Sequence, residues 1–309
     1  MPCLVPGLAP ALLALCLAPA ASAEAPSAVL QIVASADGRA GLRACDCPGD
    51  PSANVALRAH RFAAARATKE PVLIVDGGNW SPERGAPLES ELNDLMLEVL
   101  PALHYDAVGV GDLEAARGPE FLIRAAQALP LVCANLRGLP EVGTAIPAYR
   151  LWEAGDLTVA VTGYLDPLLY YEHEVALTRS PESLLVVDPA EALAPLLEDL
   201  ATRADLVVIL AHAPDASIAG HLEGLLTAKI AVVSGHPGEG ARNATRLGPA
   251  LQLFPGTEAR EIAVAHVAPG PEGLEAVQQR AWDLKLGGKV DRRLEAVIAA
   301  FESEHGVTP

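Results

Sequence analysis

The feature of this sequence that most constrains its fold is the alternation of short apolar strands with helical segments. Two such strands, "PVLIVDGGN" (71–79) and "YDAVGVGDLE" (105–114), flank an amphipathic segment whose apolar residues recur three and four positions apart. This order predicts an α/β fold. A hairpin pattern at 149–165, and two late strands without a long helix between them, indicate mixed sheets rather than purely parallel ones.

The composition supports a large buried core and argues against binding to nucleic acid. Apolar residues make up 51% of the 309 residues, which excludes wholesale disorder. The chain has 39 acidic and 22 basic residues, so its net charge is −17. The electrostatic field of so negative a protein repels nucleic acid and anionic membrane surfaces. Small anionic ligands respond to local fields and are not excluded by this charge.

The first 23 residues are typical of a secretory signal peptide. An apolar segment over Leu8–Pro19 is followed by "ASA" (21–23), which is a small-x-small cleavage site. We therefore expect export, to the periplasm or outside the cell, with cleavage after Ala23. A lipoprotein attached through Cys16 is less favoured, because the preceding leucine is larger than the residue such sites prefer. No later apolar run reaches about 18 residues, so no transmembrane span is expected.

Three cysteines remain after the predicted cleavage, and two of them are separated by a single residue. Cys45 and Cys47 stand in a turn-rich loop, "CDCPGDPSAN". A disulfide across one intervening residue would be strained and readily reduced, so a redox or assembly role for this pair is one hypothesis. Two thiolates alone do not complete a zinc site. Cys133 lies in an apolar strand and is expected to be a buried thiol.

Polar side chains stand where several of the predicted strands end. They are Asp37, Asp76, Asn79, Asp112, Glu114, His212 and His236. Ligand sites in open α/β sheets form at the ends of strands. Carboxylate, amide and imidazole groups are what a two-metal phosphoesterase needs, since they hold ions about 3.5–4 Å apart that polarise phosphoryl oxygens and activate a water. The pattern therefore predicts a metal-assisted hydrolytic site.

The order and spacing of these residues resemble the calcineurin-like metallophosphoesterases, and within them the N-terminal domain of bacterial 5′-nucleotidases. The family motifs D-x-H, G-D, G-N-H-E, a strand-end His and G-H-x-H have counterparts in "DGR" (37–39), "GN" (78–79), "GDLE" (111–114), "AH" (211–212) and "GHPG" (235–238). The resemblance implies a four-layer αββα sandwich with two mixed β-sheets over residues 24–270. We expect a helical tail over residues 271–309. Asp76 matches no ligand position, and its expected role is to cap a turn.

Three of the four ligands that the family uses for its first metal ion are replaced. Asp37 is retained, but the family's His is Arg39, its bridging Asp is Asn79 and its last ligand is Gly238. A guanidinium has no lone pair to donate to a metal, and its charge repels one. We expect this half-site to hold no ion, with Arg39 pairing with Asp37 instead.

The ligands of the second ion are better retained. The resemblance implies the set Asn79, Asp112, His212 and His236, which suits one divalent ion such as Zn, Mn or Fe. The family's general-acid His is Leu113 here, and leucine cannot donate a proton. Loss of a positioned acid typically lowers the rate by about 10²–10⁴. We therefore assign no residue of this chain as catalytic.

Together these residues predict an exported metallophosphoesterase-like protein that has lost most of its catalytic machinery. It would keep a pocket for one metal ion, or for phosphate or a small phosphoester, and serve a binding or accessory role. An active mononuclear phosphoesterase or nucleotidase is the first alternative. A redox or assembly partner acting through Cys45 and Cys47 is the second. The sequence does not identify a protein partner.

Overall fold

The computed structural model describes residues 30–43, 54–138, 140–154, 157–172, 184–236, 238, 240, 242–270, 273–284 and 289–307. The predicted signal peptide with Cys16, the Cys45–Cys47 pair and the turn of the predicted hairpin lie outside these residues. Within the described part of the chain, no helix has the length and apolar character needed to cross a membrane.

The strands, in chain order, are β1 (Leu30–Ser35), β2 (Val72–Asp76), β3 (Ala107–Gly109), β4 (Leu131–Val132), β5 (Leu136–Gly138), β6 (Tyr149–Ala154), β7 (Leu157–Leu165), β8 (Leu184–Val186), β9 (Leu206–Pro214), β10 (Ile230–His236), β11 (Arg242–Leu247), β12 (Ala250–Phe254), β13 (Glu261–Gly270) and β14 (Gly273–Asp283). The helices are α1 (Asn54–Arg66), α2 (Glu89–Val99), α3 (Asp112–Ala115), α4 (Pro119–Ala128), α5 (Pro140–Ala145), α6 (Pro167–Glu172), α7 (Pro189–Leu200), α8 (Asp215–His221) and α9 (Arg292–His305). Short 3₁₀ turns occupy Leu100–Leu103 and Thr257–Ala259.

Two six-stranded sheets form the centre of the molecule. The first has the order β14-β13-β1-β2-β3-β4, and the second has the order β11-β12-β10-β9-β7-β6. In each sheet the central strands pair in parallel, and antiparallel strands lie at one or both edges. Both sheets are therefore mixed, as the hairpin pattern and the late strands predicted. β5 and β8 form a separate antiparallel pair.

The two sheets pack face to face, and helices cover both outer sides. Along β1, Leu30, Ile32 and Ala34 belong to the apolar layer between the sheets, whereas Val33 packs with the helices. Alternation with both faces buried is expected for an inner strand of such a sandwich. Helices α1, α2, α4 and α9 cover the first sheet, and α7 and α8 cover the second. The predicted four-layer αββα sandwich is confirmed.

The C-terminal segment differs from the predicted helical tail. We predicted helix from about Leu274, but Gly273–Asp283 forms β14 and pairs antiparallel with β13 along its length. Pairing with a neighbouring strand overrides the helical propensity of this segment. Helix begins only at Arg292, where the Asp291 side chain accepts the first free backbone N–H groups. Leu294 of this helix then packs into the core under the first sheet.

The two sheets touch at a pair of glycines. A Cβ on Gly77 would lie 2.5 Å from the Cα of Gly235, and a Cβ on Gly235 would lie 2.4 Å from the Gly77 carbonyl oxygen. Neither position accepts a side chain without movement of the backbone. Because Gly77 follows β2 and Gly235 lies near the end of β10, this contact brings strand ends from both sheets to one place.

Candidate metal centre

Strand ends from both sheets converge on Asp112, His212 and His236. One possible ligand atom from each of these residues lies within 4.8 Å of the other two. Asp112 begins α3, just after β3, while His212 lies in β9 and His236 ends β10. The fold thus brings together three residues that are distant in the sequence.

His212 is fully buried and bonded at both ring nitrogens. Its Nδ1 lies 3.0 Å from the Gly77 carbonyl oxygen and its Nε2 lies 2.7 Å from Asp112 Oδ1. A carbonyl only accepts, so Nδ1 carries a proton. Burial lowers the pKa of His212, but the hydrogen bond to Asp112 and its charge outweigh burial and raise the pKa above its ordinary value. A metal ion at Nε2 therefore has to displace a proton.

His236 offers a ring nitrogen that the protein does not use. Its Nδ1 is buried and has no hydrogen-bond partner among the described residues, and Asp37 Oδ1 lies 3.9 Å away. The His212 and His236 rings meet edge to face, with centroids 5.3 Å apart. Burial and the positive charge of His212 lower the pKa of His236. The neutral imidazole that results is the form that binds metals.

Asn79 lies between two carboxylates and presents its nitrogen to them. Its Nδ2 is 3.0 Å from Asp112 Oδ1 and 3.3 Å from Asp37 Oδ1. Its Oδ1 accepts the backbone N–H of Leu113 at 3.0 Å. Metal ligation requires the amide oxygen, and here that oxygen accepts one hydrogen bond, from Leu113. In this orientation Asn79 bridges the two carboxylates as a donor, and its place in the ligand set that the family resemblance implied stays a prediction.

Arg39 pairs with Asp37, the remaining carboxylate of the first half-site. Its Nε lies 2.9 Å from Asp37 Oδ1 and its Nη1 lies 2.8 Å from Glu83 Oε1. Asp37 is buried, whereas the Arg39 side chain is 36% exposed. Gly238, at the position of the family's last ligand, is exposed and has no donor atom. This half-site therefore contains a fixed cation in place of ligands.

Glu114 positions the loops of the site. It is fully buried and accepts three backbone N–H groups, from Asn79 at 2.9 Å, Ser81 at 2.8 Å and Gly111 at 2.9 Å. Burial raises the pKa of Glu114, and the three donors oppose that rise. Glu114 therefore ties the loop after β2 to the loop after β3. The neighbouring Leu113 is buried and offers no polar side-chain group.

Sequence reasoning did not identify a buried polar network beneath the site. Asp76 accepts from Ser35 Oγ at 2.6 Å and from the Gly78 N–H at 3.0 Å, so it caps the turn as expected. Tyr105 lies 2.8 Å from the same Ser35 oxygen and accepts from Arg58 Nη1 at 2.9 Å. Burial raises the pKa of Asp76, against the opposing charge of Arg58. Arg58 stands on α1, far from any motif, and no sequence signal linked it to Asp76.

Solved structures match this fold over most of the chain, whereas no protein-family model and no curated protein matches the sequence. A 5′-nucleotidase precursor from Thermus thermophilus matches at 17% identity with a TM-score of 0.73, covering 89% of this chain and 58% of its own. The calcineurin-like phosphoesterase YfkN from Bacillus subtilis matches at 17% identity with a TM-score of 0.68, covering 91% of this chain and 98% of its own. This chain has the calcineurin-like phosphoesterase fold.

A sulfate thiohydrolase from Thermus thermophilus has the same phosphoesterase fold, with 16% identity, a TM-score of 0.73, and coverage of 91% of this chain and 61% of its own. The chain thus spans about three fifths of the thiohydrolase and of the nucleotidase. At identities this low, the structural similarity establishes the fold alone. The activity has to be argued from the residues of the site.

The phosphoesterase fold implies metal ions at these strand ends, and the residues present fit one ion rather than two. Asp112, His212 and His236 supply a carboxylate and two imidazoles, and Nδ1 of His236, which has no partner in the described part of the chain, is a donor atom for an ion. Around Asp37 the nearest groups are the Arg39 guanidinium and the Asn79 amide nitrogen, and neither can ligate a metal.

An open cavity beside His236 gives the cluster access to solvent. Its volume is about 500 Å³, and its lining residues are Pro214, Asp215, Ala216, His236, Gly238 and Arg242. Arg242 bonds to Asp215 at 2.6 Å and lies over the Phe254 ring, 3.8 Å from its centroid. In this phosphoesterase fold, a small ligand can therefore reach the His236 side of the cluster.

Proposed function

We propose that this chain is a metallophosphoesterase-like protein that binds one divalent ion and a phosphate or small phosphoester, with little or no remaining catalysis. The observation that carries the proposal is the Asp112, His212 and His236 cluster, in which the buried Nδ1 of His236 has no hydrogen-bond partner among the residues that the structure describes. Zn, Mn and Fe all suit this donor set. Export after cleavage at Ala23, to the periplasm or outside the cell, and a binding or accessory role belong to the same proposal.

The loss of catalysis follows from the side chains at the positions of the family's general acid and first-ion ligands. A bound ion would act as a Lewis acid toward a phosphoryl oxygen. Leu113 cannot protonate a leaving group, and Arg39 and Asn79 offer the cleft no metal ligand on the Asp37 side. Losing the positioned acid alone costs about 10²–10⁴ in rate. Without a second ion, the clamp on the attacking and leaving oxygens is also lost.

Elemental analysis of the purified mature protein tests the metal site. After incubation with Zn, Mn or Fe and desalting, we expect one ion per chain and no second ion. His236→Ala should abolish binding, whereas His60→Ala, on α1 and outside the site, should not. Two ions per chain in the unmodified protein would contradict the proposal. So would an ion that survives loss of both His212 and His236.

The alternative function is an active mononuclear phosphoesterase, and the open cavity beside His236 favours ligand access of that kind. Hydrolysis of a model phosphomonoester and of nucleotides distinguishes the two functions. We expect turnover near background. Turnover comparable to that of intact phosphoesterases, lost in His236→Ala, would establish the alternative.

Mass spectrometry of the protein from its native host tests export. We expect an N-terminus at Glu24, and a chain that retains Met1 would remove export from the proposal.

A further inference from the structure

The Arg39 guanidinium is held in place on two sides and accessible on the third. Nε and Nη1 are fixed by Asp37 and Glu83, and the backbone N–H of Arg39 donates to the Asn79 carbonyl at 2.7 Å. Among the residues that the structure describes, Nη2 makes no hydrogen bond. A side chain 36% exposed and already oriented loses little further freedom when it binds a ligand.

The same guanidinium lies next to the metal cluster. Asp37 Oδ1 is 2.9 Å from Arg39 Nε and 3.9 Å from His236 Nδ1, so one carboxylate oxygen separates the cation from a cluster nitrogen. A group bound to an ion at His236 would therefore meet Arg39.

Arg39 adds a positive charge beside the ion and the two carboxylates. A divalent ion together with the Asp37 and Asp112 carboxylates carries no net charge, and one guanidinium makes the set positive. Glu83 is 62% exposed, so solvent screens its charge. Glu114 is already satisfied by three backbone donors. Because Asp37 and Glu83 accept from Nε and Nη1, Nη2 is the guanidinium nitrogen left to donate a charge-assisted hydrogen bond to a tetrahedral oxyanion.

We propose that Arg39 takes over the electrostatic role of the missing first ion, so that the cleft binds a phosphate-type oxyanion between Arg39 and the ion held by Asp112, His212 and His236. The inference rests on the one-ion site of the proposed function. Under this inference Arg39 binds the ligand directly. If its role were only structural, Arg39 would neutralise Asp37 and make no contact with a ligand.

Calorimetric titration of the metal-loaded full-length mature protein with inorganic phosphate tests the inference. Arg39→Met should weaken phosphate binding at least tenfold, and Arg39→Lys should weaken it less, because lysine keeps the positive charge but lacks the guanidinium nitrogens that Asp37 and Glu83 hold in place. Arg124→Met, on the exposed face of α4, is the matched control and should bind as the unmodified chain does. Elemental analysis of each variant should give the same ion content, and circular dichroism should give the same fold.

Glycerol phosphate, titrated in parallel, distinguishes an ester from the free ion. Tighter Arg39-dependent binding of the ester identifies a phosphomonoester as the ligand, and tighter or equal binding of inorganic phosphate identifies the free ion. Equal phosphate affinity of the unmodified chain and Arg39→Met, each holding one ion, would overturn the inference and leave the metal site standing. If the loaded unmodified chain binds neither phosphate nor glycerol phosphate, the inference and the phosphate ligand of the proposed function both fail, and the metal site stands. An unmodified chain that takes up no ion would overturn both proposals, so the two failures are distinguishable.

Discussion

Asn79 determines what the two carboxylates beside it can bind. An aspartate at this position would offer two acceptor oxygens, but the amide offers Asp37 and Asp112 a donor. With aspartate at position 79, three carboxylates would repel one another. With asparagine, the N–H₂ group donates to the two carboxylates that remain and bridges them. The motif comparison identified the position correctly. It could not predict the direction of the amide, which depends on the Leu113 N–H that occupies the oxygen.

Asn79→Asp should lower the stability of the metal-free protein and increase its response to metal. The new carboxylate would stand about 3 Å from Asp112, at which distance like charges oppose one another strongly. We expect a loss of about 1–3 kcal/mol in unfolding free energy without metal, and a larger rise in Tm on adding Zn or Mn than the unmodified chain shows. Thermal unfolding with and without metal measures both. The exposed Asn243→Asp is the isosteric control, and equal metal responses in all three proteins would refute the expectation.

Cys133 is the buried thiol that the apolar strand predicted, and burial raises its pKa to about 11 from 9.0. The folded state therefore holds the thiol proton at pH values where the unfolded chain releases it. The contribution of Cys133 to the unfolding free energy is fully present below about pH 9 and is lost as the pH rises toward 11. Relative to Cys133→Ala, the unmodified chain should lose about 2 kcal/mol more between pH 8 and pH 11. Urea unfolding under reducing conditions measures this, and parallel pH profiles of the two proteins would contradict it.

At the scale of strands and helices, the sequence predicted the parallel strands of the two sheets. It did not predict the conformation of the C-terminal segment. The parallel strands and their polar ends follow from local apolar runs, which a single sequence displays. β14 was missed because "LEAVQQRAW" has the composition of a helix. Its strand conformation comes from pairing with β13, a contact that local propensity does not encode.

The glycine contact between β2 and β10 is the element-scale feature on which the site depends most directly. Gly235→Ala would place a methyl group against three backbone atoms, of Gly77, Ala211 and His212. We expect a loss of about 1–3 kcal/mol in unfolding free energy and a lower ion content, because His236 is the next residue. Urea unfolding and elemental analysis measure the two effects. Gly220→Ala, which meets no atom within 4 Å, is the control, and a fully stable Gly235→Ala that retains its ion would contradict the expectation.

At the scale of the whole molecule, the C-terminal helix is joined to the loop that carries the first half-site. Arg43, four residues after Arg39 in the chain, bonds through two nitrogens to Glu302 and through Nη1 to Glu295 at 2.7 Å, both on α9. Glu302 is buried. No motif signalled this contact, since it joins residues 259 positions apart.

Glu302→Ala should destabilise the protein by about 2–4 kcal/mol, because removing one partner of a buried ion pair leaves the other without full compensation. Chemical denaturation measures the loss. Glu304→Ala, on an exposed position of the same helix, should change the unfolding free energy by less than about 0.5 kcal/mol. Similar midpoints for the two variants would mean that the Arg43 contact does not anchor α9.

The donors that Asn79, Arg39 and His212 direct at the two carboxylates also bear on how the protein matures. A centre whose carboxylates face each other across metal ions needs those ions as countercharge before the surrounding loops can settle. Here side chains of the protein itself donate to the two carboxylates, so the carboxylates are compensated without metal as soon as the chain has folded. Metal supply would then govern how much of the protein is loaded and would leave the amount that reaches its native state unchanged.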